Sequence, residues 1–191
     1  MKKSSIKLNN VNDFKVNFNN FKLLVGKVSK KIEGISIDNN NFFVVDKKTG
    51  SYGTVYILKN FELMSFGKFV LKSFPDPDDY FKEKLISIVI SNIQRENNLT
   101  LNLIPSYYFE IEDFNLIIMH YREGTLEDLI IDNLLTIGNK FELFLEIVKI
   151  TYNLYKEGIY YCDLKISNIL YKINDNRLEI VFGDIGGIML S

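Results

Sequence analysis

Tyr161-Cys162-Asp163-Leu164-Lys165-Ile166-Ser167-Asn168-Ile169-Leu170 places a carboxylate, an ammonium two residues on and a carboxamide three beyond that in one short segment. A second carboxylate follows in Gly183-Asp184-Ile185-Gly186, after a strand-like run. These groups are what phosphoryl transfer asks of a protein. One carboxylate orients a hydroxyl, one cation meets phosphate charge, and two oxygen donors suit Mg²⁺.

Working outward, Lys140 to Lys156 reads as a helix. Phe144, Ile147, Val148, Thr151, Leu154 and Tyr155 form its apolar stripe, and Gly158 is its stop. Ile169–Ile173 and Arg177–Phe182 read as a hairpin across Asn174-Asp175-Asn176. Upstream, Phe42–Asp46 and Thr54–Lys59 are strands joined through Gly50-Ser51-Tyr52-Gly53, and Lys68–Phe74 is a third. A helix is expected from Asp78, as N-cap, to Asn92. Strands over Ile104–Glu110 and Asn115–Tyr121 follow, then a short helix over Leu126–Asn133 capped by Thr125. Phe21–Ile37 reads equally as strand or short helix. The Asn-rich residues 1–20 read as partly disordered.

The chain has 191 residues, 47 % hydrophobic and 14 % aromatic, enough for a core in one domain or two small lobes. A net charge of -1 with no basic run argues against nucleic-acid and membrane-surface binding. One cysteine, Cys162, and one histidine, His120, exclude an intramolecular disulfide and a Cys/His zinc site. No secretory signal or membrane-length apolar run is present, so an intracellular, cytoplasmic location is expected.

Two further features are ambiguous alone. Gly50 and Gly53 would let backbone amides approach a polyphosphate, or would merely make a turn. Lys72 in Phe69-Val70-Leu71-Lys72 is either a site cation or a snorkelling surface lysine.

Taken together and in order, these motifs resemble the eukaryotic-type Ser/Thr protein kinase domain, from about Phe42 to Gly186. Gly50-Ser51-Tyr52-Gly53-Thr54-Val55 looks like its Gly-rich loop and Lys72 like its strand lysine. Leu116 to Leu126 resembles its hinge region, Tyr161 to Asn168 its catalytic loop, and Asp184-Ile185-Gly186 its metal-binding triplet. The resemblance implies an α+β, kinase-like bilobal fold. A five-stranded N-lobe sheet with one helix would precede a truncated helical C-lobe. Residues 1–40 would be an N-terminal extension. Residues 41–191 would be the kinase-like domain, its N-lobe about 41–121 and partial C-lobe about 122–191.

The resemblance also implies roles and ligands, ATP and Mg²⁺. Asp163 would orient the substrate hydroxyl and Lys165 would meet the γ-phosphate. Asn168 and Asp184 would hold the metal. Lys72 would take the α/β-phosphates, paired with Glu83 on the first helix, with Glu96 as the other candidate. Gly50, Ser51, Tyr52 and Gly53 would cover the phosphates. Val55 and Leu170 would sandwich adenine with Met119 behind it, and backbone near His120 and Arg122 would bond its edge.

There are departures. Lys48 stands where the first glycine of the loop is expected, and Tyr161 and Cys162 where His and Arg are. A thiol cannot pair with an activation-loop phosphate, so that mode of control is not expected. Ile185 stands for Phe, and only seven residues follow Asp184. Without the later helices of the large lobe, part of the Lys140–Lys156 surface is expected to be exposed, or covered by a partner or a second copy. Phosphorylation of a protein on Ser or Thr is thus the leading expectation. The alternatives are a nucleotide-binding pseudokinase or interaction module, a fragment of a longer kinase, and a small-molecule phosphotransferase.

Overall fold

The computed structural model describes residues 21–27, 31–50, 53–61, 68–97, 101–103, 106–111, 114–132, 135–174 and 177–191. They fall into two compact units: the described residues up to Leu85 and from Ser106 to Tyr121 make the first, and those from Ile86 to Leu103 and from Arg122 onward make the second, so that one helix is divided between Leu85 and Ile86.

The first unit is an antiparallel sheet of seven strands: β1 (Phe21–Val25), β2 (Ile32–Ile37), β3 (Asn40–Gly50), β4 (Gly53–Lys59), β5 (Phe69–Phe74), β6 (Ser106–Ile111) and β7 (Phe114–His120). Their order is β1-β2-β3-β4-β5-β7-β6. The five strands expected from sequence are β3 to β7. Phe21–Ile37, where strand and helix were both open, supplies two more. Asp38 and Asn39 both take positive φ, 48° and 67°. Such residues suit the two-residue hairpin turn that matches strand twist, so β2 folds back onto β3, and β1 pairs in turn with β2.

One face of this sheet buries Ile35, Leu58, Phe69, Leu71, Leu116 and Ile118 with Phe42. Fully burying such a side chain is worth about 1.5–3 kcal/mol. The Phe42 and Phe69 rings meet edge to face at 5.1 Å.

The helix shared by the units is α1 (Pro77–Asn97). It starts one residue before the expected Asp78 cap. Asp76 Oδ1 accepts from the Asp78 amide at 2.8 Å, and Pro77 occupies the first turn, where a missing N–H costs nothing. It runs five residues past Asn92.

The second unit holds α2 (Leu126–Ile131) and α3 (Ile137–Lys156), with β8 (Gly124–Thr125), β9 (Ile159–Tyr161), β10 (Ile169–Asn174), β11 (Arg177–Phe182) and β12 (Ile188–Leu190). Capping boxes Thr125/Asp128 and Thr136/Asn139 start the two helices. Thr136 moves the start of α3 three residues ahead of Lys140. Gly158, at φ +71°, ends it by donating to the Tyr155 carbonyl at 3.0 Å. The core gathers Leu126, Leu129, Leu143, Ile150, Leu154, Ile159, Ile169, Ile180, Phe182 and Ile188.

The stripe read from the sequence for α3 is only partly its buried face. Leu154 is buried and Ile147 packs on the core, but Phe144, Val148 and Tyr155 are exposed, and Leu143 and Ile150, outside that stripe, point inward. Apolar residues cover well over half of the circumference of the helix, so spacing alone cannot select the core face.

The glycines of the first hairpin are not equivalent. A Cβ on Gly53, at φ +135°, would run into the Ser73 carbonyl oxygen, whereas one on Gly50 meets nothing within 4 Å. Gly53→Ala should therefore cost about 2 kcal/mol or more in urea unfolding. Gly50→Ala should stay within about 0.5 kcal/mol. Equal costs would contradict this assignment.

Candidate active site

The sequence-derived site residues fall into two groups, one in each unit. In the sheet unit, register decides what shares a face. Val55 lies opposite Lys72 and Lys72 opposite Ile117; the next row is Ile57, Val70 and Met119. Directly opposed residues project to the same side. Val55, Lys72 and Met119 therefore line one face, away from the Phe69–Leu71 core.

Lys72 Nζ lies 2.7 Å from Glu83 Oε2 of α1, with only 12 % and 5 % of the two side chains exposed. The ammonium also sits 4.7 Å from the Phe74 ring centroid. A lysine held in this way is not snorkelling. Glu96, the other acid considered, is exposed near the end of α1. His120 lies opposite Phe69, on the other face, with the two rings 5.5 Å apart. Its imidazole thus points away from the Lys72 face, although its backbone continues β7. Gly50 pairs with Gly53 across the hairpin. Ser51 and Tyr52, expected at its tip, lie outside the described residues.

In the second unit the loop after β9 carries three of the groups. Lys165 Nζ contacts Asp163 Oδ2 at 2.8 Å, and Asn168 Nδ2 donates to the same oxygen at 2.9 Å and to the Asp163 carbonyl at 3.0 Å. The hydrogen bond from Lys165, then that from Asn168, holds the exposed Asp163 carboxyl below its ordinary pKa. Asn168 itself is buried, on a 3₁₀ turn spanning Ile166–Asn168. Both its amide hydrogens are directed at Asp163, which leaves its carbonyl oxygen for another partner.

Asp184 is brought in by the segment that follows it. Strand β12 pairs with β9, Ile188 opposite Tyr161 and Leu190 opposite Ile159. The Tyr161 hydroxyl donates to the Gly183 carbonyl, and the Cys162 amide donates to the Gly187 carbonyl at 3.2 Å. The Gly183 amide returns a bond to the Asn168 carbonyl at 2.8 Å. Asp184 adopts φ 45°, ψ 65°, a left-handed conformation that Asp tolerates at a cost of about 1 kcal/mol. Its side chain is exposed.

Two small residues escaped the sequence reading. A Cβ on Gly187 would come 2.9 Å from the Asp163 Cβ, and one on Gly183 would come 2.9 Å from Leu170 Cδ1. The doubled Gly186-Gly187 and the apolar run Ile188-Met189-Leu190 were the available signals. Leu170 pairs with Thr125 and Val181 in the β8–β10–β11 sheet. Arg122 is half-buried, and burial lowers its guanidinium pKa against the opposing pull of Glu179.

The donor set fits a hard cation. An amide oxygen and a carboxylate are the ligand types Mg²⁺ accepts, with water and phosphate completing its shell. No group of three or more His, Cys, Asp or Glu forms a protein-only metal cage among the described residues.

Against known proteins, no family model matches and no curated protein matches. Among solved structures, the chain is similar to the crystal structure of the PF14_0431 kinase domain. The TM-score is 0.59 at 19 % identity, over 83 % of this chain and 54 % of that one. The fold is kinase-like α+β. The chain spans about half the length of that kinase domain.

Two outcomes test the geometry. Lys72→Met leaves Glu83 buried without its cation and should cost about 3 kcal/mol in unfolding free energy, most of it recovered on adding Glu83→Leu. A single-variant cost near zero would remove the pair from the stability of the sheet unit. For Asp163, a depressed folded pKa means stabilisation that is present above the unfolded value of about 3.9 and is lost as pH falls through the folded pKa. Carboxyl NMR titration should place its midpoint below that of an ordinary Asp, rising in Lys165→Ala. An unchanged midpoint in the variant would mean that Lys165 does not set it.

Proposed function

We propose that this chain binds Mg-ATP and phosphorylates Ser or Thr hydroxyls of a protein substrate in the cytoplasm. The observation that carries this reading is the Asp163 carboxylate held by Lys165 and Asn168 on one loop. Asp163 keeps a solvent-facing, ionised oxygen with which to orient a hydroxyl and take up its proton. Lys165 is half exposed and so can turn from Asp163 toward phosphate charge.

The Asn168 carbonyl oxygen and the Asp184 carboxylate would hold Mg²⁺. Lys72, fixed by Glu83, would meet the α/β-phosphates. Gly50 to Gly53 would cover the phosphates, and Val55, Leu170 and Met119 would enclose the base, with backbone at His120 and Arg122 bonding its edge. When bound, Mg-ATP supplies the phosphoryl group and the metal neutralises its developing charge. The choice of Ser/Thr over small molecules rests on Lys165, whose position two residues after Asp163 resembles the Ser/Thr kinases.

The bare apolar side of α3 favours a second reading, a nucleotide-binding module whose task is to hold another protein. Mg-ATP should raise the melting temperature of the chain, and Asp184→Ala should abolish the shift. Asp163→Ala should keep the shift but lower phosphate transfer to a generic basic protein by at least about 10²-fold. A shift with no transfer by the wild-type chain would select the second reading, and no shift at all would sink both.

A further inference from the structure

The outward face of α3 is self-complementary. Phe141, Phe144, Leu145, Val148, Tyr152 and Tyr155 are each 48–63 % exposed. Their 3- and 4-residue spacing makes a continuous ridge, the pattern of a helix–helix seam. Beside the ridge runs a groove of about 550 Å³, with Ile147, Thr151 and Leu164 as its far wall.

Length and charge decide what fits. At roughly 200 Å² per large side chain, these exposed fractions leave about 700 Å² of mostly apolar surface. That is near the ~800 Å² per partner of a standard stable interface. The pattern is also symmetric about Val148. Phe141 and Tyr155 stand seven residues either side of it, and Phe144 and Tyr152 four either side. Along one flank the charges run Glu142, Glu146, Lys149, Lys156, acidic toward the N-terminal end and basic toward the C-terminal end. Two such helices placed antiparallel set acid against base, and the residues flanking an antiparallel seam meet their own counterparts. Parallel placement sets like against like.

We infer that α3 is an isologous dimerisation helix, pairing antiparallel with a second copy about a two-fold axis at Val148. Phe141 packs on the partner's Tyr155 and Phe144 on the partner's Tyr152. Glu142 faces the partner's Lys156, and Glu146 faces the partner's Lys149. Each copy presents the same patch, so the contact closes on itself.

Sedimentation of the full chain across micromolar concentrations tests this. Wild type should populate a dimer. Val148→Lys should weaken it at least tenfold without lowering the melting temperature extrapolated to the monomer, because Val148 is exposed there. Glu142→Lys should weaken the dimer, Lys156→Glu should do the same, and the double variant should recover it. A wild-type monomer throughout that range would overturn the proposal and leave the face to a different protein. A dimer indifferent to Val148→Lys would overturn it as well, as would a double variant no tighter than the single ones.

Discussion

Backbone hydrogen bonds across one turn hold the Asp163 and Asp184 loops in register. Both carboxylates are solvent-facing, so neither can be anchored by burying its own side chain. The anchoring is done by their neighbours instead. Tyr161, just before the loop, gives its hydroxyl to the Gly183 carbonyl; Cys162 gives its amide to Gly187; Gly183 gives its amide to Asn168. Strand β12 then closes on β9. The crossing is tight enough that Gly187 has no room for a Cβ beside Asp163. The left-handed turn at Asp184 is the conformational cost of this closure, and the surrounding pairing is what sustains it.

The sheet unit solves a different problem. Lys72 must keep its charge on a face that is almost dry. A lone ammonium there would be strongly disfavoured, and an ion pair in that setting seldom adds much net stability. What Glu83 contributes is position. It fixes Nζ against a helix whose own start is set by Asp76 and Pro77, so the cation has one place to be. Val55 and Met119 share that face because of strand register alone, two rows of opposed residues running across β4, β5 and β7.

The parts legible in the sequence are those where chemistry and spacing coincide. Asp163, Lys165, Asn168 and Asp184 stand out because three ionic groups and an amide cluster near a helix stop and a hairpin. The five strands β3 to β7 announce themselves by composition and turns. Strands β1 and β2 do not, since the Asp38-Asn39 turn ahead of β3 leaves open whether the segment before it is strand or helix. Strand β12 offers an apolar run, Ile188-Met189-Leu190, but three residues carry no period by which to read it. Gly183 and Gly187 read as loop glycines until Leu170 and Asp163 are seen against them. The first turns of α1 and α3 were misjudged because caps compete: Asp76 preceded Asp78, and Thr136 preceded Lys140.

Helix α3 shows why period alone fails for such an element. Apolar residues occupy both its sides, so the sequence offers two stripes of similar quality. The core takes Leu143, Ile150 and Leu154, which share it with Ile159 and Ile188. The aromatic residues are left outward, and they are partly sheltered: Lys156 lies over the Tyr152 ring, and Tyr155 meets Tyr160 edge to face. Leu164 is where this face meets the loop that follows β9. It stands between Asp163 and Lys165 in the chain, and its side chain walls the groove beside α3.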